Sequence, residues 1–309
     1  MKNGIGIAIG LLFIGTIIGA VQLTQKMSVE LPEKQVAAVS KSSSNSLTYN
    51  PPSLEEVPEG PIGEAITYGY KLVNETYSVA DPYVGNNLSC ASCHAGAGLD
   101  KDSSSLVGVT AVYPQYIARS GKIVTIEDRI NGCMVRSMNG EKFEANSDEL
   151  KAMVAYFTYI SEGVPVGADI PWRMTNDMDN VPTPNVASGE QLYQKSCIAC
   201  HAADGSGTDP NTGPALWGDN SFNDGAGLAR ISKMAGYIKN NMPAGSEGTL
   251  TNQEAADLAA YVLSQDRPEW KNHDKDWPNG GKPNDIMNKE RREEVKNGTI
   301  NWEEVLSKN

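Results

Sequence analysis

The sequence predicts an all-α protein made of two tandem helical domains behind an N-terminal apolar segment. Two C-x-x-C-H motifs, Cys90-Ala91-Ser92-Cys93-His94 and Cys197-Ile198-Ala199-Cys200-His201, hold their histidines 107 residues apart. Two helix-start signals follow at nearly the same interval, Asn146 with Glu149 and Thr251 with Glu254, the caps being 105 residues apart. Each places a side-chain acceptor three residues before a carboxylate, the spacing of a capping box. Apolar residues recur at helical spacing around both motifs. Such an offset is too long for a solenoid repeat and suits a duplicated domain.

Taken in order, residues 1–25 hold the uncharged run 4–23, which follows Lys2. About 20 apolar residues span a bilayer, so an uncleaved transmembrane helix is expected, with a signal peptide cut near Ile18-Gly19-Ala20 as the competing reading. Either leaves Lys2 in the cytoplasm and exports the rest. Residues 26–60, rich in Ser, Pro and Glu, read as a flexible linker. The first domain spans 61–165, with Ile66, Tyr70 and Val73 on one predicted helix and Leu150, Met153, Val154 and Phe157 on another. Residues 166–186 form a second linker within a proline-bearing stretch of little periodicity. The second domain covers 187–266, with Gly189, Leu192 and Tyr193 before its motif and Ala255, Leu258, Ala259 and Val262 after it. Residues 267–309 have no repeated counterpart; they read as a tail that wraps the domains or forms a helix over 285–295.

A chain of 309 residues can bury a core in each of two domains. Its net charge of −12 excludes a nucleic-acid partner, because phosphate binding needs a basic surface. A local cluster of arginines can still hold a small anion on an acidic protein.

Four of the five cysteines fall in the two motifs. C-x-x-C-H attaches a c-type haem by two thioethers and sets the histidine beneath the iron. Two zinc half-sites are the alternative, and they leave both histidines unexplained. The second domain adds Gly213-Pro214-Ala215-Leu216 and Asn241-Met242-Pro243, and with these it resembles a class I cytochrome c domain. That resemblance makes Met242, 41 residues after His201, the sixth ligand, with Met234 as its rival in a predicted helix. The same ruler in the first domain lands on Cys133 and Met134, 39 and 40 residues after His94, and spacing does not separate them. A methionine there makes an ordinary electron-transfer haem. A thiolate stabilises ferric iron and lowers the potential. Arg129 and Arg136 nearby favour the thiolate form of Cys133.

The segment TIEDRINGCMVRSMNG, with YVGNNLSCASCH before it, resembles the dihaem thiosulfate dehydrogenases, also called tetrathionate reductases. The resemblance covers about residues 61–283. It implies two covalently bound haems c and a first haem held by His94 and Cys133 that is the active site. It also implies substrate-binding roles for Arg119, Arg129 and Ser137, and a second haem held by His201 and Met242 that exchanges electrons. Asn241 stands where some members carry a lysine ligand. Thiosulfate and tetrathionate are the implied substrates. An external carrier, a cytochrome or a quinol-linked partner, is the implied electron partner.

The residues agree chemically with that reading. Coupling two thiosulfates brings four negative charges together, which Arg119 and Arg129, with Lys122 and Arg136 further out, can offset. His273, the one histidine outside the motifs, reads as a surface or packing residue. The expected place is the periplasmic side of the bacterial inner membrane, held there by the N-terminal helix. Two rivals remain: a membrane-tethered dihaem carrier with Met134 on the first iron, and a sulfur-oxidising cytochrome that acts on a carrier-bound substrate.

Overall fold

The structure, a computed structural model, describes residues 47–307. The apolar run 4–23 lies outside them. Among the described residues no helix is long and apolar enough to cross a membrane.

Two helix pairs carry the fold. Helix α1 (Pro61–Asn74) starts on Pro61, whose missing N–H costs nothing at a helix start. After α2 (Thr76–Val79) and α3 (Ile126–Arg136), helix α4 (Asp148–Ile160) crosses α1. A β-carbon on Gly69 would lie 2.0 Å from the Ala152 carbonyl oxygen, so the two backbones meet where only glycine fits. In the second half α5 (Val186–Ser196) and α6 (Ile198–His201) precede α7 (Ile231–Asn241) and α8 (Asn252–Ser264). Helix α5 crosses α8 in the same way, with Gly189 2.1 Å by the same measure from the Asp257 carbonyl. Tyr156 and Tyr261, each four residues beyond the contacted carbonyl, flank these crossings. The duplication read from sequence spacing is thus a duplicated helix crossing.

The caps differ from expectation in one place. Thr251 and Glu254 form the predicted capping box on α8. On α4 the cap is Ser147, which accepts from the Leu150 N–H, while Asn146 takes a left-handed φ of 65° one residue earlier. Asparagine tolerates that conformation, and this frees the serine to cap.

Two stretches are more ordered than the sequence implies, and the tail wraps as expected. Residues 47–60, assigned to a flexible linker, lie on the first domain: Tyr49 packs edge-on to Trp172 at 5.1 Å, and its hydroxyl meets Ser105 Oγ at 3.1 Å. The second linker is a strap with Ile170, Trp172 and Met178 buried. The tail after 266 wraps both domains, with α9 (Lys289–Lys296) and α10 (Trp302–Leu306) near its end. Two of its buried charges are paired, Arg292 with Asp224 at 3.0 Å and Asp285 with Arg230 at 2.8 Å, while buried Arg267 donates to the Val262 carbonyl at 2.8 Å and lies over the Phe222 ring. Among the described residues the all-α expectation is met apart from one small antiparallel hairpin, β1 (Gln115–Ile117) with β2 (Lys122–Val124), in register Gln115 to Val124.

Candidate functional site

Each C-x-x-C-H histidine is oriented by a carbonyl. His94 Nδ1 meets the Ser104 oxygen at 2.5 Å and His201 Nδ1 meets the Pro214 oxygen at 2.8 Å. With Nδ1–H donating, Nε2 is left as the free ligand nitrogen. Burial lowers His94 to about 4, so its imidazole is neutral, as metal ligation requires. Burial lowers His201 as well. Among the described residues no group of three or more His, Cys, Asp or Glu gathers as a metal site, so the two C-x-x-C pairs are not halves of one zinc centre.

In the second domain Cys197, Cys200, His201 and Met242 line one cavity of 960 Å³, with Leu216, Phe222, Ile238, Leu258 and Val262 as apolar walls. That donor set and those walls fit a covalently held haem. Met242 caps α7 in extended conformation, and Met234, the rival, is buried within α7 against the same cavity. Asn241 has no freedom to act as a ligand: Ser103 Oγ donates to its side-chain oxygen at 2.8 Å, and its Nδ2 donates to Asn176 Oδ1 at 3.0 Å. The cavity reaches Ala91, Ser92 and Cys93 of the first motif. Asn211 Nδ2 also donates to the Asn74 carbonyl at 2.8 Å. The two attachment motifs therefore adjoin.

In the first domain the decisive element is α3. Thr125 and Asp128 form a capping box at its start. Ile130, Met134 and Met138, four residues apart, are 4%, 1% and 2% exposed and make its core stripe. Arg129, Cys133 and Ser137, one position behind each, make a second and accessible stripe. The spacing that could not separate Cys133 from Met134 is resolved into two helix faces, with Met134 on the packed one. The charge of Cys133, before any other cause, raises Arg129 above the usual guanidinium value. Cys133 also acts electrostatically on Cys90 and Cys93.

The other predicted residues sit as follows. Arg119 is held by the tail: its Nε and Nη2 donate to Asp276 Oδ2 at 2.9 and 2.7 Å, and its guanidinium lies 4.7 Å over the Trp277 ring. Arg136 Nη2 donates to the other oxygen of Asp276 at 2.9 Å and stacks on Trp270 at 4.6 Å. Ser137 closes α3, and its carbonyl accepts from Asn86 Nδ2 at 2.8 Å. Lys122 is exposed on β2. His273 packs, as expected, with Nε2 2.7 Å from Asp224 Oδ1. Sequence reasoning passed over Asp276, Tyr113 and Arg173. Tyr113 acts electrostatically on both Arg129 and Arg173, and both arginines act on His94. Arg173 was hidden in a stretch read as linker, though the tryptophan before it was a signal of burial.

Fold and site together define a two-domain c-type cytochrome with two covalently bound haems. Residues 80–166 match the SoxA/TsdA cytochrome c domain, and residues 184–262 match cytochrome C oxidase, cbb3-type, subunit III. A thiosulfate dehydrogenase of Psychrobacter arcticus is 40% identical over 77% of this chain and 74% of its own. One of Allochromatium vinosum is 40% identical over 70% of this chain and 83% of its own. The solved thiosulfate dehydrogenase TsdBA of Marichromatium purpuratum superposes with a TM-score of 0.69 at 34% identity, over 73% of this chain. The chain spans about half, 51%, of that solved chain. The chain belongs to the thiosulfate dehydrogenase family.

Proposed function

We propose that the protein couples two thiosulfates to tetrathionate, releasing two electrons, at the first haem site, and that the same site runs the reverse reduction. The observation that carries this reading is the Arg129–Cys133–Ser137 stripe along α3 and its cap, with Cys133 acting on Cys90 and Cys93 of the first attachment motif. In it Cys90, Cys93 and His94 would hold the first haem, and Cys133 would supply a thiolate to its iron. Cys197, Cys200, His201 and Met242 hold the second. When bound, the haems supply one-electron redox chemistry, and a thiolate ligand places the first below the second in potential.

The chain's own residues handle the charge. Arg129 offsets the repulsion between two dianions brought into one cleft. Ser137 offers a hydroxyl on the same face. Arg119 and Arg136 share one carboxylate, Asp276, and so leave a net positive edge above α3. The adjoining motifs support electron passage to the second domain and on to an external cytochrome or quinol-linked carrier. The uncharged run 4–23 after Lys2 supports an inner-membrane anchor with the domains in the periplasm.

Purified holoprotein assayed with thiosulfate plus ferricyanide, and with tetrathionate plus a reductant, tests the proposal. Tetrathionate formation or consumption is expected. Rapid reduction of both haems by a carrier, with no activity in either direction, would instead mark an electron carrier.

A further inference from the structure

Asn176, on the strap, belongs to no motif and to neither ligand set. Its backbone is seated on α7: the Met178 N–H donates to the Ser232 carbonyl at 3.1 Å, and a β-carbon on Gly236 would lie 2.4 Å from the Asn176 carbonyl oxygen. The residue is 8% exposed, and all four hydrogen-bonding positions of its side chain are filled. Nδ2 donates to the Asp102 carbonyl and to Ser104 Oγ at 3.0 Å each. Oδ1 accepts from Nδ2 of Asn240 and of Asn241, also at 3.0 Å each. Ser103 Oγ completes the network by donating to Asn241 Oδ1 at 2.8 Å.

The two ends of this network serve different sites. The turn 102–104 gives its Ser104 carbonyl to His94 Nδ1 at 2.5 Å. Ser104 stands at a φ of 56°, a left-handed conformation that is strained for a residue with a β-carbon and persists where neighbours hold it. The two bonds from Asn176 hold that turn, so the direction of the Ser104 carbonyl depends on them. At the other end Asn241 immediately precedes Met242, and Asp102, Ser103, Asn241 and Met242 all line the cavity of the second domain. One turn therefore walls the second site and orients the first histidine, with Asn176 bonded to both of its duties.

Each end has an electronic consequence. A carbonyl that accepts from Nδ1–H makes a ligating imidazole more basic, which favours ferric iron and holds a potential down. A methionine thioether holds a potential up. Keeping both in place widens the potential step that favours electron passage from the first site to the second.

We infer that Asn176 is a positioning residue for both sites: it ties the turn that orients His94 to the segment that carries Met242, and so maintains their difference in potential. The inference rests on His94 and Met242 as ligands in the reading above; the tie itself rests on the hydrogen bonds.

The test compares the wild-type holoprotein with Asn176→Leu, Ser104→Ala and Ser103→Ala, with haem content checked by visible absorption. Potentiometry reads both midpoints, and the long-wavelength methionine–iron absorption band reads Met242. Leucine keeps the branched shape of asparagine without its hydrogen bonds. Asn176→Leu raises the first midpoint and lowers the second, each by up to about tenfold in a one-electron equilibrium, about 59 mV, and weakens the band. Ser104→Ala raises the first alone and Ser103→Ala lowers the second alone, each by a few-fold. Should Asn176→Leu lose its haems, the two serine variants decide by that same division. A lowered Tm with both midpoints and the band unmoved overturns the inference and leaves Asn176 a packing residue. Midpoints that move together in one direction overturn it as well. The wild-type spectrum separates the two ways to fail: absence of the band there overturns Met242 as a ligand, whereas a normal wild-type band with unmoved variants overturns the tie.

Discussion

The two haem domains share a helix crossing and part company at one helix. In each, a glycine lets the first helix touch a carbonyl of the last, a tyrosine flanks the contact, and a backbone carbonyl orients the motif histidine. In the second domain Met242 follows the end of α7 and faces an apolar cavity. In the first, Cys133 lies within α3, on a stripe with Arg129 and Ser137. The comparison teaches that the scaffold fixes where a haem sits, and that one helix face decides whether the site only holds an electron or also meets an anion.

Breaking the difference at its source has the largest effect. Cys133→Met makes the first site resemble the second. Both haems stay attached, and the first midpoint rises by about 120 mV or more, roughly a hundredfold in a one-electron equilibrium at 59 mV per decade. Turnover with thiosulfate falls accordingly, and potentiometry with the ferricyanide assay reads both. Met242→Ala attacks the other side of the comparison. It opens the sixth position of the second haem and slows electron exit about tenfold while calorimetric thiosulfate binding is unchanged. A weakened thiosulfate affinity in that variant would mean that the two sites do not divide the labour as proposed.

Next is the element with no counterpart in the second domain. Asp276 is 5% exposed and joins Arg119 to Arg136. Asp276→Asn leaves two guanidiniums with a weakened partner and costs about 3 kcal/mol, read in a denaturant melt. The smallest effects come where the domains are alike. Gly69→Ala and Gly189→Ala each push a methyl group into a carbonyl and cost about 1–3 kcal/mol, lowering Tm by several degrees. Similar losses at the two positions support the duplicated crossing. A loss at only one shows that the two crossings are not equivalent.

Much of this was legible in the sequence because it depends on short, rigid spacings. The C-x-x-C-H motifs, the Thr251–Glu254 box and the offset between the domains needed no tertiary knowledge. The Gly213-Pro214 segment stood out through resemblance to a cytochrome c domain, and its orienting carbonyl is a finding of the structure. The choice between Cys133 and Met134 was not legible from a count, since adjacent residues on a helix differ by about 100° in direction and only packing tells the faces apart. The strap, and the anchoring contacts of the tail, were missed for another reason. Trp172, Trp270 and Trp277 act through contacts more than 50 residues away in sequence, with Val107, Arg136 and Arg119, and lack any period. Asn146 lost the cap to Ser147 because a left-handed residue fits just outside the helix.

The central claim is that the domains differ in the sixth ligand of the iron, and electron paramagnetic resonance of the oxidised holoprotein reads that directly. The account predicts two unlike low-spin signals, one of thiolate type that disappears in Cys133→Met while the other is unmoved. Two alike His/Met signals, unchanged on replacing Cys133 and altered by Met134→Leu, would contradict it.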